Sequence, residues 1–175
     1  MNTSTQIRSA IRDIPDFPKP GILFRDIAPV LADARLFRLA INEFAIICRE
    51  AKAGKIAGID ARGFLFGATV AYELGLGFVP VRKKGKLPFH TITQSYDLEY
   101  GSSEVQIHTD AFNESDNVAL IDDLRATGGT AGAAIKLINP SGARVVAAAF
   151  LIELVDLGGR KALGDVPVTS IVSYP

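Results

Sequence analysis

One run of thirteen residues, Val118-Ala-Leu-Ile-Asp-Asp-Leu-Arg-Ala-Thr-Gly-Gly-Thr130, restricts the folds open to this chain more than any other stretch. Val118 to Ile121 are apolar without interruption, the pattern of a short strand buried on both faces of a parallel sheet. Two adjacent carboxylates, Asp122 and Asp123, fall where that strand ends. Thr127-Gly128-Gly129-Thr130 then forms a turn, and Ala131, Ala134, Ile135 and Ile138 lie on one face of a helix that starts at Gly129. Strand, glycine turn and helix N-terminus together predict an anion site. The first amides of the helix have no partners within it, its dipole favours negative charge, and glycine lets a phosphate approach the backbone. The paired acids repel such a phosphate and must face something else, either sugar hydroxyls or a hydrated metal ion.

A second segment repeats the design. In Gly58-Ile-Asp-Ala-Arg-Gly-Phe-Leu-Phe-Gly67, Asp60, Ala61 and Arg62 follow a strand over Lys55–Ile59, and Gly63 opens a helix that runs to Leu74 and closes at Gly75. Asp33 is placed to cap a helix reaching about Ala51, with Leu36, Phe37, Ala40, Ile41, Phe44 and Ile47 inward. Further strands are predicted at Phe78–Val81, Ala143–Leu154 and Val166–Ser173. Before all of these, a helix is expected from Ser4 to about Arg12, with Ile7, Ala10, Ile11 and Ile14 at helical spacing and Pro15 ending it, and Asp16-Phe-Pro-Lys-Pro-Gly21 is irregular because its prolines lack donors. Strands alternating with helices predict an α/β fold, a central parallel sheet flanked by helices, with ligands at the strands' C-terminal ends. Lys83 to about Asn117 breaks the alternation. It is polar, with turn signals at Lys84-Gly85 and Gly101-Ser102, and Gln94–Tyr100 can pair with Glu104–Ile107 as a hairpin. A connection this long is usually functional, and it reads as a mobile lid over residues 83–117 of a single domain, 1–175.

Composition narrows the function classes. Nineteen basic residues balance nineteen acidic ones, so no overall field draws nucleic acid or an anionic membrane. Val145 to Ile152, the longest apolar run, is too short to span a bilayer, and Met1-Asn-Thr-Ser-Thr-Gln lacks a signal-peptide pattern. Cys48 is a single cysteine, read as a buried small hydrophobe. These features suggest a cytoplasmic protein. His90 and His108 are isolated and read as solvated lid residues, so no metal site is assigned to protein side chains.

Val118–Thr130 resembles the binding signature for 5-phosphoribosyl-1-pyrophosphate (PRPP) of the type I phosphoribosyltransferases. Three further segments point to the adenine branch of that family: Phe17-Pro-Lys-Pro-Gly-Ile-Leu-Phe-Arg-Asp-Ile27, Arg82-Lys-Lys-Gly-Lys-Leu-Pro88, and Leu98-Glu-Tyr-Gly101. The resemblance implies the type I phosphoribosyltransferase fold, with a hairpin lid and an N-terminal base-binding hood over residues 1–32. It implies conversion of adenine and PRPP to AMP and pyrophosphate, with Mg²⁺ carried by PRPP, in a homodimer whose interface includes the region after Arg62. It also implies roles. Asp122 and Asp123 hold the ribose hydroxyls, and Ala126, Thr127, Gly128, Gly129 and Thr130 hold the 5-phosphate. Asp60, Ala61, Arg62, Arg82 and Lys86 face the pyrophosphate, with the Asp60–Ala61 peptide cis. Phe24 stacks on the base, the backbone near Leu23 and Arg25 reads its polar edge, and Leu124 forms the opposite wall. Glu99 takes the imidazole proton of the base, next to Tyr100 in the lid. An exposed glutamate, with a pKa of about 4.3, is a weak base, so lid closure must desolvate it.

One position departs from the family pattern. Arg125 stands where an apolar residue is usual, and the side chain either leans out to solvent or alters packing beneath the phosphate loop. Two other functions fit less of the sequence. One is a phosphoribosyltransferase for 6-oxopurines or orotate. The other is a nucleotide-sensing regulator without catalysis, for which the chain offers neither a DNA-binding extension nor a basic face.

Overall fold

The computed structural model describes residues 2–97 and 101–175. Among these, seven strands form the main sheet in the order β5-β6-β4-β3-β7-β8-β9. The strands are β3 (Lys55–Ile59), β4 (Gly77–Lys83), β5 (Thr91–Asp97), β6 (Ser102–His108), β7 (Asn117–Arg125), β8 (Arg144–Leu154) and β9 (Val168–Tyr174). Strands β4, β3, β7, β8 and β9 are mutually parallel, while β6 runs antiparallel to β4 and pairs with β5 as a hairpin.

Helices cover both faces. On one side lie α1 (Thr3–Ala10), α2 (Ala28–Ala32), α3 (Ala34–Glu50) and α4 (Arg62–Leu74), whose Ile7, Val30, Ala40, Phe44, Phe66 and Val70 share a core with Ile56, Ala119 and Ile121 of the sheet. On the other, α5 (Gly129–Ile138) buries Ala131, Ala134, Ile135 and Ile138 against Val118, Leu120, Val145 and Phe150. Val118 to Ile121 have no exposed surface. At roughly 1.5–3 kcal/mol for each fully buried aliphatic side chain, this strand is a principal anchor of the core.

Local signals account for most boundaries. The Asp33 carboxylate accepts from the amides of Arg35 and Leu36, so α3 begins where the capping residue predicts. Gly75 is left-handed and ends α4. The helix expected from Ser4 to about Arg12 is α1, which stops at Ala10; the helical spacing does not carry on to Ile14, because Arg12–Pro15 form β1, antiparallel to β2 (Leu23–Asp26) in a separate two-stranded sheet. Pro15 removes a helical donor, and Arg12 gains a charged partner across the ladder in Asp26, at 2.6 Å.

The 83–117 stretch is partly built into the sheet. Val105, Ile107 and Phe112 are buried in the second core, and Arg82 pairs in register with Gln106. His108 is half-buried in β6, with its ring 6.0 Å edge-on from Phe89, so the solvated reading holds only for the exposed His90.

Candidate active site

Three adjacent strands, β4, β3 and β7, end side by side, and the chemistry-bearing residues follow from those ends. After β3, the Asp60–Ala61 peptide is cis and α4 begins without a side-chain cap. After β7, Gly128 is left-handed at φ 78° and α5 likewise begins without one. Two helix N-termini therefore open beside each other with their first amides uncommitted to side-chain caps, which suits a ligand with two anionic groups.

The second cradle is small. Asp122, Leu124 and residues 125–131 line a cavity of about 90 Å³, so Ala126, Thr127, Gly128, Gly129 and Thr130 all border one space. Asp122 lines it, and Asp123 follows on the same strand. Asp123 is 6% exposed, and its Oδ2 forms an ion pair with Arg62 Nε at 2.8 Å. The Asp122 Oδ1 accepts from the Asp123 amide at 2.8 Å. Burial, together with the neighbouring Asp123 charge, pushes the Asp122 carboxyl well above the usual carboxylate range. Close packing explains that burial: a Cβ on Gly63 would stand 2.8 Å from Asp122 Oδ1 and 2.9 Å from the Ile121 carbonyl. Only glycine lets α4 approach the acids so closely.

Basic groups approach from β3 and β4. Arg82 Nε donates to Asp60 Oδ2 at 3.1 Å, and its Nη1 donates to the Lys86 carbonyl at 3.1 Å. Lys86 itself is exposed. Arg62 lies against β2 as well as beside Asp123, with its guanidinium carbon 5.3 Å from the centroid of the Phe24 ring. Phe17 packs edge-on against that ring at 5.1 Å. Leu23 is exposed at the end of β2, and Leu124 is half-buried against the first core. Strand β2 pairs only with β1 among the described residues, which leaves its other backbone edge without a strand partner.

Sequence reasoning missed what holds the β1–β2 pair in place. Arg25 pairs with Asp13, and its guanidinium stacks 3.9 Å from the centroid of Tyr174 in β9, on which Arg8 also stacks at 4.5 Å. A charged residue in each of two short segments and a terminal tyrosine carry no spacing signal that would connect them. Glu99 and Tyr100 lie outside the described residues. The strand leading to them ends at Asp97, whose carbonyl would be 3.3 Å from a Cβ on Gly129. That contact brings the hairpin's end to the N-terminus of α5.

Arg125 does not lean out to solvent. It is 2% exposed and donates from Nη2 to Glu153 at 2.7 Å. Glu153 was a readable signal, since an acid within an apolar strand requires a buried cationic partner. Among the described residues no three His, Cys, Asp or Glu side chains are arranged to hold a metal ion, and no helix is long and apolar enough to cross a membrane.

Comparison with known proteins agrees with this geometry. Residues 30–172 match the family model of the phosphoribosyl transferase domain. A curated adenine phosphoribosyltransferase from Bradyrhizobium sp. (strain ORS 278) is 53% identical, over 99% of this chain and 98% of that protein. The crystal structure of adenine phosphoribosyltransferase from Thermoanaerobacter pseudethanolicus superposes with a TM-score of 0.95 at 48% identity, covering 98% of this chain and 99% of that one. The Saccharomyces cerevisiae enzyme, complexed with D-2,5-dideoxy-2,5-imino-altritol 1,6-bisphosphate and adenine, superposes with a TM-score of 0.92 at 40% identity, covering 97% and 98%.

Proposed function

The chain belongs to the adenine phosphoribosyltransferases, within the phosphoribosyl transferase family, and we propose that its three strand-end loops divide the work on PRPP among them. Enzymes of this family serve purine salvage: adenine and PRPP are converted to AMP and pyrophosphate. The observation that carries the assignment of roles is the convergence of two uncapped helix N-termini, three acids and two arginines at the ends of β3, β4 and β7.

The 5-phosphate sits on the amides of Ala126, Thr127, Gly128, Gly129 and Thr130, where dipole and free N–H groups face it together. Asp122 and Asp123 accept from the ribose hydroxyls. Binding the sugar there draws Asp123 away from Arg62, which then turns to the pyrophosphate beside Asp60, Ala61, Arg82 and Lys86. Asp60 holds the Arg82 fork, so that charge is already oriented when the leaving group departs. As the bond from C1 to the pyrophosphate oxygen lengthens, C1 gains positive character and N9 of adenine attacks its opposite face. The new bond is C1–N9, the pair of the broken bond leaves on pyrophosphate, and the imidazole proton passes to Glu99.

Adenine is held between Phe24 and Leu124, and the backbone near Leu23 and Arg25 reads its edge. A fixed carbonyl facing the amine rejects a 6-oxo base, because two acceptors would oppose each other in a dry pocket. Closure of the β5–β6 hairpin end over the substrates desolvates Glu99 and makes it a stronger base.

Magnesium enters on PRPP. The carboxylates of Asp122 and Asp123 are hard oxygen donors fitted to a hydrated Mg²⁺, but they are too few to hold the ion without substrate oxygens and water. When bound, the ion supplies Lewis-acid neutralisation of the pyrophosphate. A homodimer built on the outer face of α4 is supported by exposed Leu65 and Tyr72, the latter 88% exposed, with Ile46 of α3 as another exposed apolar residue. Buried Cys48, its thiol pushed up to about 12 by desolvation, suits a reducing cytoplasm.

The lid acid is tested by Glu99→Ala. Loss of a general base typically costs 10²–10⁴-fold, so kcat falls by about 100-fold or more while the Kd for PRPP stays within about two-fold. Unchanged turnover would remove Glu99 from the mechanism.

A further inference from the structure

Behind the phosphate loop lies a network that the reaction, as described above, does not use. Arg125 is the last residue of β7 and borders the same 90 Å³ cavity as Ala126 to Thr130. Glu153, near the end of β8, gathers four donors. Arg125 Nη2 at 2.7 Å, Arg160 Nη2 at 2.9 Å and Ser170 Oγ at 3.0 Å reach Oε2, and Ser173 Oγ reaches Oε1 at 3.0 Å. One carboxylate thus joins β7, β8, β9 and the short helical segment Gly159–Leu163.

That segment presses on the loop from behind. A Cβ on Gly128 would stand 2.2 Å from the Gly159 carbonyl oxygen, and one on Gly159 would stand 2.2 Å from the Ala126 carbonyl oxygen and 2.8 Å from Arg125 Nη1. Backbone lies on backbone here, which two glycines alone permit. Arg125 also keeps unspent capacity: its Nε and Nη1 are buried and have no hydrogen-bond partner among the described residues. Glu153 is shared between Arg125, which is 2% exposed, and Arg160, whose side chain is half exposed, so the Arg125 guanidinium is only partly neutralised in a place where screening by water is weak.

We propose that Arg125 is a positioning residue for the 5-phosphate of PRPP. Through Glu153 it fixes the Ala126–Gly128 backbone against Gly159, and its unpaired N–H edge places positive charge behind the bound phosphate. The proposal rests on the reading that residues 126–130 hold that phosphate. It gives this chain a cation in the loop's support where the sequence pattern of the family has an apolar side chain.

The test measures steady-state kinetics and the binding of ribose 5-phosphate, by calorimetry, for Arg125→Leu, Arg125→Lys and Gly128→Ala. Arg125→Leu raises the KM for PRPP and the Kd for ribose 5-phosphate by about ten-fold, the size of one charge-assisted contact, and leaves kcat and the KM for adenine within about two-fold. Arg125→Lys, which keeps the charge, recovers most of that loss. Wild-type values in a folded Arg125→Leu overturn the proposal, and so does an equal decline in every constant, which marks a merely structural residue. Should Arg125→Leu not fold, the lysine variant decides, since ten-fold weaker binding there denies that charge is what matters. Gly128→Ala separates the two readings. If it leaves ribose 5-phosphate binding intact, the loop is not the phosphate site at all; if it abolishes binding while Arg125→Leu does not, only the role of Arg125 falls.

Discussion

Asp122→Asn lowers kcat/KM for PRPP by roughly 100-fold and at the same time raises the melting temperature of the free protein. The activity loss follows from the proposed role: the carboxylate lines the cavity of the Ala126–Thr130 loop, and a charge-assisted bond to a ribose hydroxyl is worth about 1.5–3 kcal/mol. The gain in stability follows from the acid's environment. Burial, then the charge of Asp123, raise the carboxyl well above its ordinary 3.8, with the Asp123 amide and Arg62 acting in the opposite direction. A native state that holds a proton more tightly than the unfolded chain is favoured at low pH, and it loses that advantage as pH rises from 3.8 through the raised value. At neutral pH the ionised side chain is therefore a cost to folding, which asparagine removes with little change in shape. Thermal melts at pH 7 and PRPP-dependent kinetics check both halves. A lower melting temperature contradicts the electrostatic account, and unaltered kcat/KM removes Asp122 from the ribose site. Asp123→Asn differs in releasing Arg62, whose Nε it holds at 2.8 Å, so it weakens activity without the same gain in stability.

Glu153→Ala has the largest effect on folding. It leaves the Arg125 guanidinium at 2% exposure with no counter-charge, a situation that costs about 3–5 kcal/mol. For a chain of this length that lowers the melting temperature by roughly 6–20 °C. Replacing both partners, Arg125→Leu with Glu153→Leu, restores most of the loss, because an apolar pair of similar volume needs no desolvated charge. The pH dependence has a fixed sign. Burial alone would raise the Glu153 carboxyl, but the bonds from Arg125, Ser173 and Ser170 and the Arg160 charge outweigh it and bring the value from 4.5 down to about 2. The stabilisation, about 3 kcal/mol for a shift of this size, is complete above 4.5 and is lost as pH falls through the interval toward 2. Chemical denaturation at pH 6 and pH 3 for wild type and Glu153→Gln measures it. A stability difference that does not shrink at pH 3 contradicts the assignment.

The fold was legible where local chemistry and tertiary packing ask for the same thing. Helix α5 spans Gly129–Ile138, the range its spacing predicts, because the left-handed Gly128 fixes the start and the apolar face fixes the rest. Strand β7 runs four residues beyond Ile121, through both acids, because β8 continues to pair with it and Arg62 answers the charge. Nothing within Asp122-Asp123 announces that partner. The same reasoning covers β1, where Ile14 fits a helical period yet is 37% exposed in a strand fixed by Arg12–Asp26 and Arg25–Asp13 pairs across the ladder.

The candidate site divides in the same way. Glycine turns, paired acids and strand-end arginines are sequence features, since each is needed by the ligand at one short spacing. Arg62 against Asp123 and Phe24, Arg82 on Asp60, and Arg125 on Glu153 join residues from different loops, and only the folded sheet brings them within reach. Arg125 shows the limit most clearly. A guanidinium beside a glycine turn leaves both a solvated and a packed side chain open, and its burial depends on an acid 28 residues away on the neighbouring strand.

The central claim is best tested by following nucleotide formation from PRPP and magnesium with adenine, hypoxanthine, guanine and orotate in parallel. Rapid AMP formation is expected with adenine, and turnover lower by about 100-fold or more with each 6-oxo base, as a fixed acceptor facing the exocyclic amine would require. Comparable turnover with hypoxanthine or guanine, or binding of PRPP without turnover of any base, would contradict it.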